Sequence, residues 1–127
     1  MMQTMNLATN VNFFLGLQSQ LRICHWQTKG LGRHQSFGGL YEALDSLIDT
    51  FVESAMGKYG RFILDDETKS IQLNNLSDID VKSMVSTLRD SLVQMSDTLD
   101  PTDTDLLNIR DEMLGELNKH AYLITLE

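Results

Sequence analysis

The sequence predicts an all-α protein: one four-helix bundle with a long connection between its second and third helices. Three observations predict it. Apolar residues recur at three- and four-residue steps in four separate stretches, the period of a helix with one buried face. Turn-forming residues, including the only proline, Pro101, fall between those stretches. The length, 127 residues, fits one domain, and a chain this size supports a core without disulfides.

The first helix is expected over about 6–28, where Leu7, Val11, Phe14, Leu17, Leu21 and Cys24 share a face. Lys29-Gly30-Leu31-Gly32 supplies its stop. The second carries the clearest stripe: Phe37, Leu40, Tyr41, Leu44, Leu47, Ile48, Phe51, Val52, Ala55 and Met56. Gly38 and Gly39 lie inside it, each costing about 1 kcal/mol relative to alanine. Either that end frays or the glycines admit a close approach by another backbone. The helix should end near Gly57 or Gly60.

Residues 61–79 read as connection, since Asp65, Asp66, Asn74, Asn75 and Ser77 form turns and no period is sustained. Asp80 is a candidate cap for the third helix, with Val81, Val85, Leu88, Leu92 and Met95 on one face. The stretch 97–103 breaks that helix. Thr102 or Asp103 can cap the fourth, whose apolar positions are Leu106, Ile109, Met113, Leu117 and Ile124. A connection long enough to cross the bundle makes the order other than up-down-up-down.

Composition narrows the function. No segment approaches the ~20 apolar residues of a membrane span. The start, MMQTMNLATN, lacks the basic and apolar regions of a secretory signal. Cys24 is the single cysteine, so no internal disulfide is available and a reducing, cytoplasmic location is expected. The net charge of −8 disfavours nucleic acid and is compatible with attracting cations.

The candidate chemistry rests on four residues. His25 lies near the end of the first helix and His34 near the start of the second; Asp49 and Glu53 lie one turn apart further along. Two imidazoles with carboxylates suit a divalent transition metal, including Fe(II). In a continuous helix His34 and Asp49 are about 22 Å apart at 1.5 Å per residue. Either they are unrelated, or the ion sits between two chains, with two-fold symmetry creating two equivalent sites.

Each residue also has a plainer reading. A histidine ending a helix caps its dipole, and Asp49 with Glu53 suits a solvated face. Cys24 fits the apolar stripe, and Trp26 reads as packing. The methionines read as adaptable core. The chain has no Glu-x-x-His, the pair used by intrabundle di-iron sites, so His120 reads as structural. It also has no His-Glu-x-x-His, which removes zinc hydrolase chemistry.

These residues carry a resemblance. His25-Trp26-Gln27-Thr28-Lys29-Gly30 resembles the HW-x-x-x-G signature of the Dps miniferritins. Their ferroxidase ligands run His, a second His, an Asp fifteen residues on and a Glu four after that. His34, Asp49 and Glu53 keep both spacings. Lys119-His120-Ala121-Tyr122-Leu123 resembles a segment with Trp in place of Tyr122. The resemblance spans roughly Phe14 to Leu126, weakest around 60–80, and is to a shortened form, similar to small proteins that bacteriophages encode.

The resemblance implies a ferritin-like bundle and homo-oligomerisation, at least a dimer and in that family usually a shell of twelve. It implies iron ligands His25 and His34 from one subunit and Asp49 and Glu53 from its two-fold partner, with Trp26 beside the site. The implied reaction is oxidation of Fe(II) by peroxide or dioxygen, with ferric mineral stored inside; other divalent metals such as zinc also suit the ligands. The sequence departs from the pattern in places. The loop between the histidines is three residues shorter, Gln35 and Gly38 stand where acids are common, and a basic N-terminal arm and part of the connection are missing. Those departures bear on second-iron binding and mineral growth. They favour an alternative, a non-catalytic assembly module with a degenerate or structural metal site.

Ten Lys and Arg against eighteen Asp and Glu, with no basic cluster at either terminus, predict negligible duplex-DNA affinity at physiological salt. Salt-sensitive retention in a gel-shift assay would contradict this.

Overall fold

The computed structural model describes residues 6–126, and among them there are four α-helices and no strand. The N-terminal residues 1–5, part of the segment read for a secretory signal, lie outside them. None of the helices is long and apolar enough to cross a membrane.

Helix α1, Leu7–Gln27, opens on Asn6, whose side chain accepts from the Thr9 N–H at 3.2 Å. It buries Leu7, Val11, Phe14, Leu17, Leu21 and Cys24, the stripe expected from periodicity. Helix α2, Leu31–Tyr59, buries Phe37, Leu40, Leu44, Ile48, Phe51 and Ala55. It ends at Gly60, whose φ of +86° favours a residue without Cβ. The Phe14 and Phe51 rings meet edge to face at 5.1 Å and lock α1 to α2. Helix α3, Val81–Gln94, starts at Asp80, which accepts from the Ser83 N–H as expected of a cap. A 3₁₀ turn, Met95–Asp97, follows it. Helix α4, Thr104–Leu123, buries Leu106, Met113 and Leu117.

Pairings across the elements set their directions. His25 meets His34 near one end of α1 and α2, while Phe14 meets Phe51 towards the other, so the two are antiparallel. Gly39 faces His120 and Lys58 bonds Asp103 and Asp105, so α2 and α4 are antiparallel. Arg110 reaches the Leu92 carbonyl and Arg89 reaches Asn118, so α3 and α4 are too. The apolar residues of all four helices join in one core.

The connection, residues 60–80, contains a single 3₁₀ turn, Leu76–Asp78. Amides on one face of α1 satisfy its backbone. Asn12 donates to the carbonyls of Thr68 and Ser70 at 3.0 and 2.8 Å. Gln20 donates to the Asn74 carbonyl at 2.9 Å and accepts from its N–H at 2.8 Å. Gln27 accepts from the Leu76 N–H at 2.7 Å. The connection thus follows α1 from its N-terminal to its C-terminal half. These amides recur about every two turns, a polar stripe that periodicity of apolar residues does not register.

Three local expectations change. Leu31 and Gly32 do not stop α1; they are the first residues of α2, and Gly30 is its cap position. The Gly38–Gly39 end of α2 is helical rather than frayed. Asp103 sits at the cap position of α4, but its side chain makes no capping bond. It is buried instead, accepting from Lys58 Nζ at 3.0 Å and from the Tyr59 hydroxyl. That carboxylate raises the Tyr59 pKa, because its hydrogen bond and charge both favour the neutral phenol.

Arg110 is the polar residue the apolar pattern hides. Buried on α4, its Nη1 donates to the Leu92 carbonyl at 2.9 Å and to Ser96 Oγ at 2.7 Å. It so satisfies the C-terminal end of α3, which has no basic residue in its last turn. Arg110→Ala should cost about 1–3 kcal/mol, lowering the thermal midpoint by several degrees, with Arg110→Lys recovering part. An unchanged melting curve for Arg110→Ala would show that the bond contributes nothing.

Candidate functional site

The turn between α1 and α2 is only three residues, 28–30. It brings His25, in the last turn of α1, against His34, in the first turn of α2. Their rings stack with centroids 3.9 Å apart and planes 20° from parallel. Each ring also bonds the other residue's backbone. His25 Nδ1 donates to the His34 carbonyl at 2.7 Å, and His34 Nδ1 donates to the His25 carbonyl at 2.8 Å. A carbonyl can only accept, so both Nδ1 atoms carry hydrogen. In the neutral rings both Nε2 atoms then hold free lone pairs. Neither has a hydrogen-bond partner among the described residues, and both side chains are half-buried. A ligating imidazole is normally fixed in this manner, its other nitrogen donating to a carbonyl. The His25 carbonyl is also one of the four that α1 leaves without an intrahelical partner, so His34 caps α1 as well.

Gly38 makes room for this clasp. A Cβ there would lie 2.9 Å from His25 Cε1 and 3.1 Å from its Nδ1, so any side chain displaces the ring. The acid that the Dps pattern would place at this position is sterically excluded by the imidazole. Gly39 does the same for His120, whose Cε1 would lie 3.1 Å from an added Cβ. The close approach anticipated at the two glycines is therefore by imidazoles, not by backbone. His120 is buried, 3.6 Å from Glu116, and burial lowers its pKa against the opposing charge of Glu116. Its place inside the bundle agrees with the structural reading.

Asp49 and Glu53 lie on α2, four and five turns beyond His34, both exposed. A hydrogen bond from one carboxyl to the other, and repulsion from the Asp49 charge, raise the Glu53 pKa. A cation between the two carboxylates would relieve that repulsion. Along the unbroken α2, Asp49 stays about 22 Å and Glu53 about 28 Å from His34. Among the described residues no three His, Cys, Asp or Glu side chains of one chain come close enough to hold a metal. The structure thus holds an imidazole pair and a carboxylate pair, and does not bring them together within one chain.

The α1–α2 surface also carries Arg22, whose guanidinium lies 4.0 Å from the Tyr41 ring and 5.5 Å from the Trp26 ring. Trp26 is 63% exposed, so within one chain it is not packed as its sequence position suggests. Cys24 is fully buried, which raises its pKa and leaves it to the core. The ring-to-backbone clasp and the role of Gly38 were not foreseen. The signal for them was the short turn, which puts residues nine apart opposite one another.

The chain belongs to a family of unknown function, DUF5856, whose model matches residues 25–124. That span takes in both histidines, both carboxylates and most of the bundle. No curated protein and no solved structure matches the chain.

Gly38→Ala tests the clasp. It should gain helix propensity yet push the His25 ring off the His34 carbonyl. Long-range ¹H–¹⁵N imidazole spectra should show both Nδ1–H tautomers in the parent protein and the loss of that form at His25 in the variant. Gly57→Ala, with open space around its Cβ, should leave both rings unchanged and stabilise α2 by about 0.5–1 kcal/mol. Unchanged His25 signals in Gly38→Ala would mean that the cradle is not tight.

Proposed function

We propose that this protein is a Dps-like, ferritin-like iron-binding protein that binds and oxidises Fe(II) at a site shared by two subunits. His25 and His34 of one subunit face Asp49 and Glu53 of its two-fold partner, and symmetry gives two such sites per dimer. The observation that carries this reading is the reciprocal clasp. It fixes both imidazoles in the tautomer a metal needs, at the accessible end of a half-site whose matching carboxylates lie too far along the same helix.

The helix arrangement supports the ferritin-like part. Antiparallel α1–α2 and α3–α4 pairs joined by one long crossover are the arrangement of ferritin-like bundles. In the proposed site Fe(II) is the substrate. Imidazole nitrogens hold it in the reduced state, and the carboxylates favour the harder Fe(III) formed when it gives an electron to peroxide or dioxygen. The protein's acidic surface raises the local concentration of the cation.

A second reading has its own observation. Gly38 excludes an acid beside His25, and Asp45, a nearby alternative, already accepts from Gln18 at 2.8 Å. These favour an assembly module whose metal site is structural, or a ferroxidase that stores little.

Anaerobic Fe(II) titration, with mass in solution measured alongside, separates the readings. About one or two irons should bind per site and oxidise rapidly with peroxide, then uptake should slow. Mixing His34→Ala with Asp49→Ala protein should restore part of the binding once subunits exchange, because half of the mixed dimer's sites regain a full ligand set. Fully exchanged mixtures that bind no more than either variant alone would exclude a shared site. Binding without faster oxidation than in buffer would favour the assembly module.

A further inference from the structure

Arg33, Lys82 and Arg89 are three of ten Lys and Arg residues in a chain with eighteen Asp and Glu, yet they line one cleft. The cleft encloses about 660 Å³ between the first turns of α3 and the C-terminal end of α4, with Arg33 reaching in from the start of α2. That volume is in the range of small-molecule sites, about 300–1,000 Å³.

Among the described residues the three charges have no acidic partner. Lys58 pairs with Asp103 and Asp105, Lys69 with Asp66 and Arg110 with Asp111, and what sets Arg33, Lys82 and Arg89 apart from the remaining cations is that they gather on one cleft. Arg33, Lys82 and Arg89 have no carboxylate within 4 Å among the described residues. Arg89 bonds only the neutral amide oxygen of Asn118, at 3.2 Å. The one acid lining the cleft, Asp80, is turned to the start of α3, where it accepts from the Ser83 N–H and hydroxyl. The floor is hydrocarbon, formed by the buried Val85 and Ile124. A cationic rim over an apolar floor matches a ligand that is charged at one end and apolar at the other.

We infer that this cleft binds a small amphiphilic anion, its carboxylate or phosphate head held by Arg33, Lys82 and Arg89 and its short hydrocarbon body lying on Val85 and Ile124. Inorganic phosphate meets only the rim and an uncharged alcohol only the floor, so each should bind less well than a molecule with both parts. This inference is independent of the iron site, since none of its residues is an iron ligand in the proposed function.

The test is a titration of the full chain at low salt, followed by methyl NMR of Val85 and Ile124. The probes are octanoate, phenyl phosphate, inorganic phosphate and octanol. Octanoate or phenyl phosphate should give saturable shifts, with inorganic phosphate weaker and octanol weakest. The double variant Lys82→Gln/Arg89→Gln should weaken binding about tenfold or more, the loss expected of two charge-assisted bonds. Arg61→Gln, an exposed cation outside the cleft, should leave it unchanged. Thermal melting checks that each variant is folded. The proposal is overturned if neither organic anion shifts the methyls, if octanol binds as well as octanoate, or if the folded double variant binds as tightly as the parent.

Discussion

The stiffness of α2 is the constraint on which the rest of the molecule depends. At 29 residues it is about 44 Å long, and it touches both neighbours that define the bundle. One end carries the imidazole clasp to α1 and the contact with His120 of α4. The other carries Lys58 and Tyr59, which hold the start of α4 through Asp103. Because the helix is continuous through Gly38 and Gly39, the distance between its imidazole and carboxylate groups is set by geometry rather than by loop conformation. Function that needs both groups must then come from more than one chain.

The polar interior follows a consistent division of labour. Buried or half-buried polar groups close two helix ends, His34 on α1 and Arg110 on α3, while Asp103 ties the start of α4 to the end of α2. Few of them rest on surface ion pairs, which are worth little when exposed. The apolar core supplies the driving force, and these bonds fix where each helix stops.

Much of the fold was legible in the sequence. The stripes of Phe14, Leu17 and Leu21, of Phe37, Leu40 and Leu44, and of Leu106, Met113 and Leu117 are the buried faces observed. Asp80 caps α3 as its type and position suggest. The misjudged points share a cause. Gly38 and Gly39 carry a local penalty in a helix, but long-range imidazole contacts decide their place. Asp103 has the chemistry of a cap, but Lys58 and Tyr59, over forty residues away, claim its oxygens. Of the four candidate residues, the structure sets His25 against His34 and leaves Asp49 and Glu53 far along α2; the clasp between the histidines was not legible, because it depends on a turn only three residues long.

The amide row on α1 has a consequence for how such a chain changes over generations. Asn12, Gln20 and Gln27 hold the middle of this path by its backbone, so Ile71 and Leu73 are left exposed while Phe62, Leu76 and Ile79 pack on the core at its ends. Substitution there is cheap, whereas the phase of α1 is not. One residue inserted between Asn12 and Gln20 turns the later anchors by about 100° away from the earlier one, and the connection cannot follow both. The connection therefore transfers its constraint to a helix it never joins, and α1 keeps its register for the sake of a chain stretch some fifty residues downstream.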